Sequence, residues 1–241
     1  RDDYRQTLQA AGLAAEPVGD DGLVLAAPQP VDRLPGFARG HCSVQDSAAQ
    51  LAAGLLLDGR DWPAHARVLD ACAAPGGKTA HLLERGDVDV LALDVDPKRC
   101  ERIHDNLRRL GLAAEVQCAD AAQTKVWWDG RPFDRILADV PCSASGVVRR
   151  HPDGKWLKRP EDVQQLVRQQ RRLLDALWPL LNPGGTLLYA TCSLFHEENA
   201  DQVAAFLARH PDARSEPVAG NPSGQYLPGA EMDGFFYARL L

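Results

Sequence analysis

The stretch Val68-Leu69-Asp70-Ala71-Cys72-Ala73-Ala74-Pro75-Gly76-Gly77-Lys78-Thr79 decides the fold. An apolar pair ends in an acid, small residues run into a Pro-Gly-Gly turn, and Ala80-His81-Leu82-Leu83-Glu84 continues as a helix. The order predicts a buried strand over 67–71, a tight turn without bulky side chains, and a helix over 77–85. Glycine carries no Cβ, so a ligand can lie against the backbone of such a turn. The free N–H groups and the dipole at the start of the helix favour electron-rich ligand atoms. In an open parallel sheet this turn lies beyond the carboxyl ends of the strands, where ligands bind. A plain strand-to-helix connection is the alternative.

Outward from this stretch, strand and helix patterns alternate, the signature of a parallel sheet covered on both faces. Val88 to Leu93 reads as a second strand, followed by a helix with Pro97 at its first position and Gly111 at its end. Further strands are predicted over 114–118, 135–138 and 186–190. A long helix from Pro160 to Leu181 carries Val163, Leu166, Val167, Leu174, Leu177 and Leu181 at helical spacing, and Asn182-Pro183-Gly184-Gly185 stops it. Glu197 to Arg209 reads as helix. Gly234 to Leu241 reads as a last strand with an antiparallel partner within 213–233. Upstream, residues 43–57 predict a helix capped by Asp46 or Ser47. Residues 1–42, with four prolines among short apolar runs, predict a small irregular subdomain with short strands. The main domain is then 43–241.

The chain has 241 residues, 45% hydrophobic and 25% charged, enough for one sizeable core. No apolar run reaches the ~18 residues of a membrane helix. The six cysteines contain no C-x-x-C pair, which argues against zinc and a disulfide scaffold and for a reducing cytoplasm. Cys100 and Cys118 are expected as buried small hydrophobes. The chain starts at Arg1 without a signal pattern, as expected of a fragment or a processed product. With a net charge of −6, any contact with nucleic acid must use a local basic face.

Asp70, Asp94, Asp120 and Asp139 each fall at or just after the end of a predicted strand. An acid about 20 residues beyond a glycine turn hydrogen-bonds a ribose hydroxyl pair. Asp94 is placed for that role and Asp120 for an adenine edge, so a nucleoside-containing cofactor follows. Capping of helices is the alternative for these acids, Asp96 above all. The dinucleotide pattern G-x-G-x-x-G is absent. The phosphate-binding pattern G-x-x-x-x-G-K-[ST] is nearly met by Gly77-Lys78-Thr79, with 136–139 as a candidate magnesium strand. Cys72 replaces its first glycine, however, and Pro75 removes one backbone donor. A cofactor without phosphate, S-adenosylmethionine, fits better than a nucleoside triphosphate.

Cys142 follows the fourth strand in Pro141-Cys142-Ser143, and Cys192 follows the fifth in Thr191-Cys192-Ser193. Neighbouring strand ends bring both thiols to the cofactor crevice. A thiol pair there suits methylation of an unreactive ring carbon. Carbon 5 of cytosine becomes nucleophilic only when a thiolate adds to carbon 6. A free thiol has a pKa of ~8.5, so the site must favour the thiolate. Asp139 is the candidate for holding or donating a proton at ring N3. A second group must help remove the C5 proton and expel the first thiol.

The segments DACAAPGGKT, LDVDPKRCERIHDNLRRLG, DRILADVPCSASGVVRRHPDGKWLKRP, TLLYATCSLFHEEN and LPGAEMDGFFYARLL together resemble the RNA cytosine-5 methyltransferases of the NOL/NOP/Sun family, nearest its bacterial small-subunit rRNA branch. The resemblance covers nearly the whole chain. It implies a Rossmann-like class I fold, a doubly wound, mostly parallel seven-stranded sheet, with a small α+β RNA-binding subdomain in front. It implies that Cys192 is the nucleophile and that Cys142 helps release the product, with Asp139 and Lys78 completing the catalytic set. The implied cofactor set is Cys72, Ala73, Ala74, Pro75, Gly76, Gly77, Lys78, Asp94, Asp96, Arg99, Asp120 and Asp139. The NusB-like helical domain usual in that branch is not among these 241 residues. The implied substrate is RNA, 16S rRNA in that branch, acted on by a cytoplasmic monomer without metal. An enzyme hydrolysing nucleoside triphosphates and a catalytically silent cofactor- and RNA-binding module are the competing readings.

Arg149, Arg150, Lys155, Lys158 and Arg159 form a basic run with one acid, Asp153, among them. Arg168, Arg171 and Arg172 follow on the long helix. His151 and Trp156 lie inside the run and are placed to stack on a nucleobase; a core tryptophan in a solvated loop is the alternative. The target base must leave any helical stack to reach a thiol, so a single-stranded loop or distorted stem is the expected presentation.

Overall fold

The computed structural model describes residues 1–57, 62–218 and 220–241, and of Lys155 the backbone alone. At the N-terminus, helix α1 (Asp2–Ala10) and a hairpin of β1 (Ala15–Val18) and β2 (Gly22–Leu25) share a small core of Leu8, Ala15 and Leu34. The hairpin follows the expected short strands, and α1 is the helical part of the α+β subdomain that the resemblance implied, at a place the residue pattern did not mark. Its sequence buries only Leu8, too little for a visible apolar stripe. Arg109 fastens this unit to the main body: its guanidinium donates to the carbonyls of Phe37 and Cys42 at 3.0 and 2.9 Å and lies 4.1 Å over the Phe37 ring.

Helix α2 (Ser47–Leu57) begins where Asp46 accepts the Ala48 N–H at 2.9 Å, four residues later than the expected start. The chain then alternates through β3 (Ala66–Asp70), α3 (Gly77–Arg85), β4 (Val88–Asp94), α4 (Pro97–Leu110), β5 (Glu115–Cys118), α5 (Thr124–Trp127) and β6 (Phe133–Asp139). Helices α6 (Gly154–Leu157) and α7 (Pro160–Leu177), strand β7 (Leu181–Thr191), helix α8 (Ala200–Arg209), and strands β8 (Ser215–Glu216), β9 (Gln225–Tyr226) and β10 (Phe235–Leu240) complete it.

The strands run in the order β5-β4-β3-β6-β7-β10-β8, with β9 also on β10. β10 is antiparallel to β7 and the β3–β7 pairs are parallel. Among the described residues the sheet thus has eight strands where seven were expected, because β8 and β9, two residues each, share the outer edge of β10. Side chains alternate across it. Val68, Val90, Leu137, Leu188 and Tyr237 face the alanine-rich side of α2, while Leu69, Ile136, Leu187, Tyr189 and Phe236 face Leu173, Leu174 and Leu177 of α7 and Phe206 of α8. Both faces are covered, as near-continuous apolar strands require.

The long helix stops at Leu177, not Leu181. Pro179, with no N–H to donate, converts residues 178–180 into a single tight turn. Asn182 to Gly185 bulge out within β7, between the Leu181–Phe133 and Thr186–Arg135 pairs. Cys100 is buried as expected, but Cys118 is exposed at the sheet edge.

Candidate active site

Adjacent strands β4, β3, β6 and β7 deliver Asp94, Asp70, Asp139 and Thr191 to one edge of the sheet. The glycine turn leaves β3 there. Gly76 adopts φ +95°, a left-handed conformation, and a Cβ on it would press on Ile103 at 3.2 Å, so glycine is required by the fold itself. Gly77 differs. Its φ is ordinary, and an added Cβ would meet only Gln45 Nε2 at 3.9 Å. The free space above it suits close approach by a ligand. No side chain caps the N-terminus of α3, which leaves its first N–H groups open to a carboxylate.

Asp94 is buried at 4% exposure, its Oδ2 accepting the Ala74 N–H at 3.3 Å and its Oδ1 the Asp96 N–H at 3.1 Å. Arg99 lies 3.2 Å from Asp94 Oδ2 and donates to the Ala74 carbonyl at 3.1 Å, tying the turn to the second strand end. Asp96 caps α4, accepting the Lys98 and Arg99 N–H groups, and that task accounts for it without a ligand. Asp120 accepts the Ala122 N–H and pairs with Arg172 at 2.9 Å; burial opposes its charge, but these partners hold its carboxyl below the usual range. Asp70 accepts the Thr79 hydroxyl at 2.7 Å through Oδ2 and leaves its buried Oδ1 without a partner. Burial, with Asp139 nearby, pushes this carboxyl up to about 7. An open glycine backbone, an uncapped helix start, a buried acid at the second strand end and an unpartnered carboxylate oxygen fit a nucleoside cofactor that carries both an amine and a carboxylate.

The thiols meet as the strand order requires. Cys142 Sγ and Cys192 Sγ are 3.4 Å apart, within hydrogen-bonding reach, and both cysteines are free. Lys78 Nζ pairs with Asp139 Oδ2 at 2.8 Å and sits 5.3 Å over the Phe235 ring. Burial works against the ammonium, but Asp139 outweighs it and raises Lys78 above its ordinary range. The S–H of Cys142 is the largest influence lowering the Cys192 thiol; burial and Asp139 oppose it, and Lys78 assists. The same hydrogen bond, burial and the charge of Glu198 push Cys142 upward. The two directions together favour Cys142 as the hydrogen-bond donor and Cys192 as the acceptor in this contact. Burial raises Cys72 far above the thiol range, with Asp139, Asp70 and Asp94 adding to it, which favours its neutral thiol form.

Glu198, to which the sequence alone gave no role, is fully buried directly behind the pair. It lies in the quoted TLLYATCSLFHEEN segment, but two of the side chains that hold its carboxylate, Gln170 and Ser143, are 28 and 55 residues away.

The basic run divides in two. Arg149 donates to Asp233 and to the Ala230 carbonyl, and Arg150 pairs with the other oxygen of Asp233, which is 0% exposed. These arginines anchor the loop after Cys142 to the segment before β10, a structural use the sequence reading had not assigned. At the same junction Gly146 donates to the Cys192 carbonyl and accepts from Gly234, both at 2.9 Å. A Cβ on Gly146 would stand 2.1 Å from Gly234 O. His151, Lys158 and Arg159 are exposed, and Trp156 is 80% exposed, which excludes a core tryptophan. The Lys155 side chain lies outside the described residues.

The sheet order with its antiparallel β10, the glycine turn and the acids at the strand ends define the class I methyltransferase architecture. The family model described as 16S rRNA methyltransferase RsmB/F matches residues 59–241. The ribosomal RNA small subunit methyltransferase B of Vibrio cholerae is 52% identical over 247 residues, covering 100% of this chain and 56% of that protein. Its counterpart in Pseudomonas syringae pv. tomato is 51% identical over 257 residues, with 100% and 56% covered. Among solved structures, PH0851 superposes with a TM-score of 0.89 at 30% identity, over 100% of this chain and 56% of that one. NSun6 from Pyrococcus horikoshii, solved with SFG, gives 0.76 at 26% identity, over 91% and 59%. The chain belongs to the 16S rRNA methyltransferase RsmB/F family. It spans a little over half the length of the curated relatives it matches.

Proposed function

We propose that this chain transfers a methyl group from S-adenosylmethionine to carbon 5 of a cytosine in RNA, 16S rRNA by its family, through a covalent adduct on Cys192. The observation that carries this is the thiol pair, 3.4 Å apart, beside the Lys78–Asp139 ion pair at the cofactor turn.

The cofactor supplies an electrophilic methyl group on a sulfonium. Asp94 would hold its ribose, Gly77 would admit its backbone-facing side, and the start of α3 its carboxylate. Cys192 adds as thiolate to C6, and the electron pair released into the ring makes C5 nucleophilic. Asp139 holds a proton at N3 during the addition. Lys78 keeps Asp139 in place and supports the negative charge on Cys192 before attack. After methylation, Cys142 gives its S–H proton to the departing Cys192 sulfur and takes the C5 proton in its place; the electrons of that C–H bond re-form the C5–C6 double bond as the C6–S bond breaks. A thiol already hydrogen-bonded to the nucleophile is suitably close for this.

Covalent access to C6 needs a base free of its stack, so the substrate is a single-stranded loop or distorted stem. The exposed Trp156, His151, Lys158 and Arg159 suit it, offering stacking and phosphate contacts. Residues 1–42, with their own small core, are read as an RNA-binding unit in front of the catalytic domain 43–241. The family and the six free cysteines favour a cytoplasmic setting, and the enzyme is read as a monomer without metal. A silent cofactor- and RNA-binding module has no need of a polarised thiol pair.

The test is methyl transfer from labelled S-adenosylmethionine to 16S rRNA lacking its natural methylation, with digestion to nucleosides. Label in 5-methylcytidine supports the proposal. Label in another nucleoside, or none despite cofactor binding, refutes it.

A further inference from the structure

Among the buried ionisable groups that the proposed mechanism does not use is Glu198. Glu198 is 0% exposed, and among the described residues no lysine, arginine or histidine pairs with it. Its carboxylate is instead filled by four donors. Oε1 accepts the Ser143 N–H at 2.8 Å and Gln170 Nε2 at 3.0 Å, and Oε2 accepts the hydroxyls of Ser143 and Ser193 in short contacts. Ser143 and Ser193 are the residues directly after Cys142 and Cys192. Burying a carboxylate without a cation is costly, and an apolar side chain would fill a purely structural position more favourably.

We propose that Glu198 is a positioning residue for the thiol pair, a buried carboxylate that clamps the two cysteine loops together and so sets the contact between Cys142 and Cys192. The assignment rests on the reading of Cys192 as nucleophile and Cys142 as its partner.

The clamp is itself held rigidly. The Tyr189 hydroxyl donates to the Glu198 carbonyl at 2.6 Å, and Asn199 Nδ2 donates to the Ser193 carbonyl at 2.9 Å. Gln170 also donates to the Pro141 carbonyl at 2.9 Å, so α7 supports the first loop. Ser145 Oγ accepts the Leu194 N–H at 2.8 Å, a second stitch between the same loops. The charge of Glu198 acts in the same sense as its geometry, because it keeps the Cys142 proton in place to be shared with Cys192. In Glu198→Gln the amide oxygen must take the Oε1 side, facing two N–H donors. Its NH2 then faces both serine hydroxyls, which must turn to accept.

The experiment measures three things on the whole chain: Cys192 alkylation by iodoacetamide against pH without RNA, the rate of covalent adduct formation with RNA, and S-adenosylmethionine affinity. In folded Glu198→Gln the Cys192 alkylation midpoint should move to higher pH, and adduct formation should slow by about 10- to 100-fold, as expected for loosened geometry. Cofactor affinity should stay within about twofold, since the cofactor turn lies on other strands. A merely structural loss would lower the melting temperature without moving the midpoint. Should Glu198→Gln fail to fold, Ser193→Ala removes one donor at the same carboxylate and should move the midpoint in the same direction. A midpoint and adduct rate equal to wild type in the folded variant overturn the proposal. Wild-type protein that forms no adduct on Cys192 overturns the underlying nucleophile assignment instead, and the alkylation profile without RNA tells the two failures apart.

Discussion

Replacing Lys78 by Met removes the one cation that pairs with Asp139 among the described residues and leaves the length of the side chain nearly unchanged. The pair is close, 2.8 Å, with side chains 14% and 27% exposed, so it lies between the surface and buried limits. Removing one partner of a fully buried pair costs about 3–5 kcal/mol, and exposed pairs are worth at most about 1. For this geometry the expected loss is about 2–3 kcal/mol, most of it the isolated charge left on Asp139. Lys78→Met/Asp139→Asn removes that charge as well, so the two substitutions should couple by about 1–2 kcal/mol. Urea denaturation of wild type, both single variants and the double variant at pH 7 closes the cycle. The chemistry should follow the charge. Without Lys78 the Asp139 carboxylate acts on Cys192 uncompensated, the thiol pKa rises, and alkylation of Cys192 at pH 7 slows. Additive stabilities together with an unchanged alkylation profile would show that the ion pair does not hold the nucleophile's field.

Asp94→Asn should weaken S-adenosylmethionine binding by about 1.5–3 kcal/mol, the range for hydrogen bonds to a charged group; equal affinity by calorimetry on the folded variant moves the ribose elsewhere. Asp70 titrates near 7 when folded and at 3.8 ordinarily, so the folded chain keeps a proton that the unfolded chain has released between those values. Its contribution to stability is complete below about pH 4, falls as pH rises to about 7, and is level beyond. From pH 5 to pH 8, wild type should therefore lose about 2–3 kcal/mol more than Asp70→Asn, and parallel pH profiles of the two proteins would contradict this. Lys158→Ala with Arg159→Ala should flatten the salt dependence of RNA binding by roughly 0.7 log units per lost phosphate contact without altering the denaturation midpoint. Arg149→Ala should lower that midpoint, because buried Asp233 loses a partner; an unaltered midpoint would return Arg149 to the RNA surface.

The strand ends were legible because each apolar run closes on an acid, and a parallel sheet sends consecutive strand ends to one edge. That logic brings Asp94, Asp139, Cys142 and Cys192 together from the sequence alone, and the 3.4 Å contact follows from the adjacency of β6 and β7. Partners distant in the chain were not legible. A basic run shows its charge but not that Arg149 is committed to Asp233, 84 residues on. Likewise Glu198 reads as one acid in an acidic turn until the fold sets Ser143 and Ser193 against it. Local chemistry explains the remaining differences: Pro179 ends α7 early, and β8 and β9 are too short to show any period.

The central claim is that Cys192 attacks and Cys142 releases, and trapping of the covalent intermediate tests it most directly. Wild type, Cys192→Ala, Cys142→Ala and the double variant are incubated with substrate RNA and S-adenosylmethionine and run on a denaturing gel. Both single variants should be nearly inactive in turnover, so the gel carries the distinction. Cys142→Ala should accumulate a protein–RNA band that survives denaturation, because addition and methyl transfer proceed but the product is not expelled. Cys192→Ala and the double variant should show no such band. A band in Cys192→Ala that is absent from Cys142→Ala would reverse the two roles, and full activity in both would remove covalent catalysis from the account.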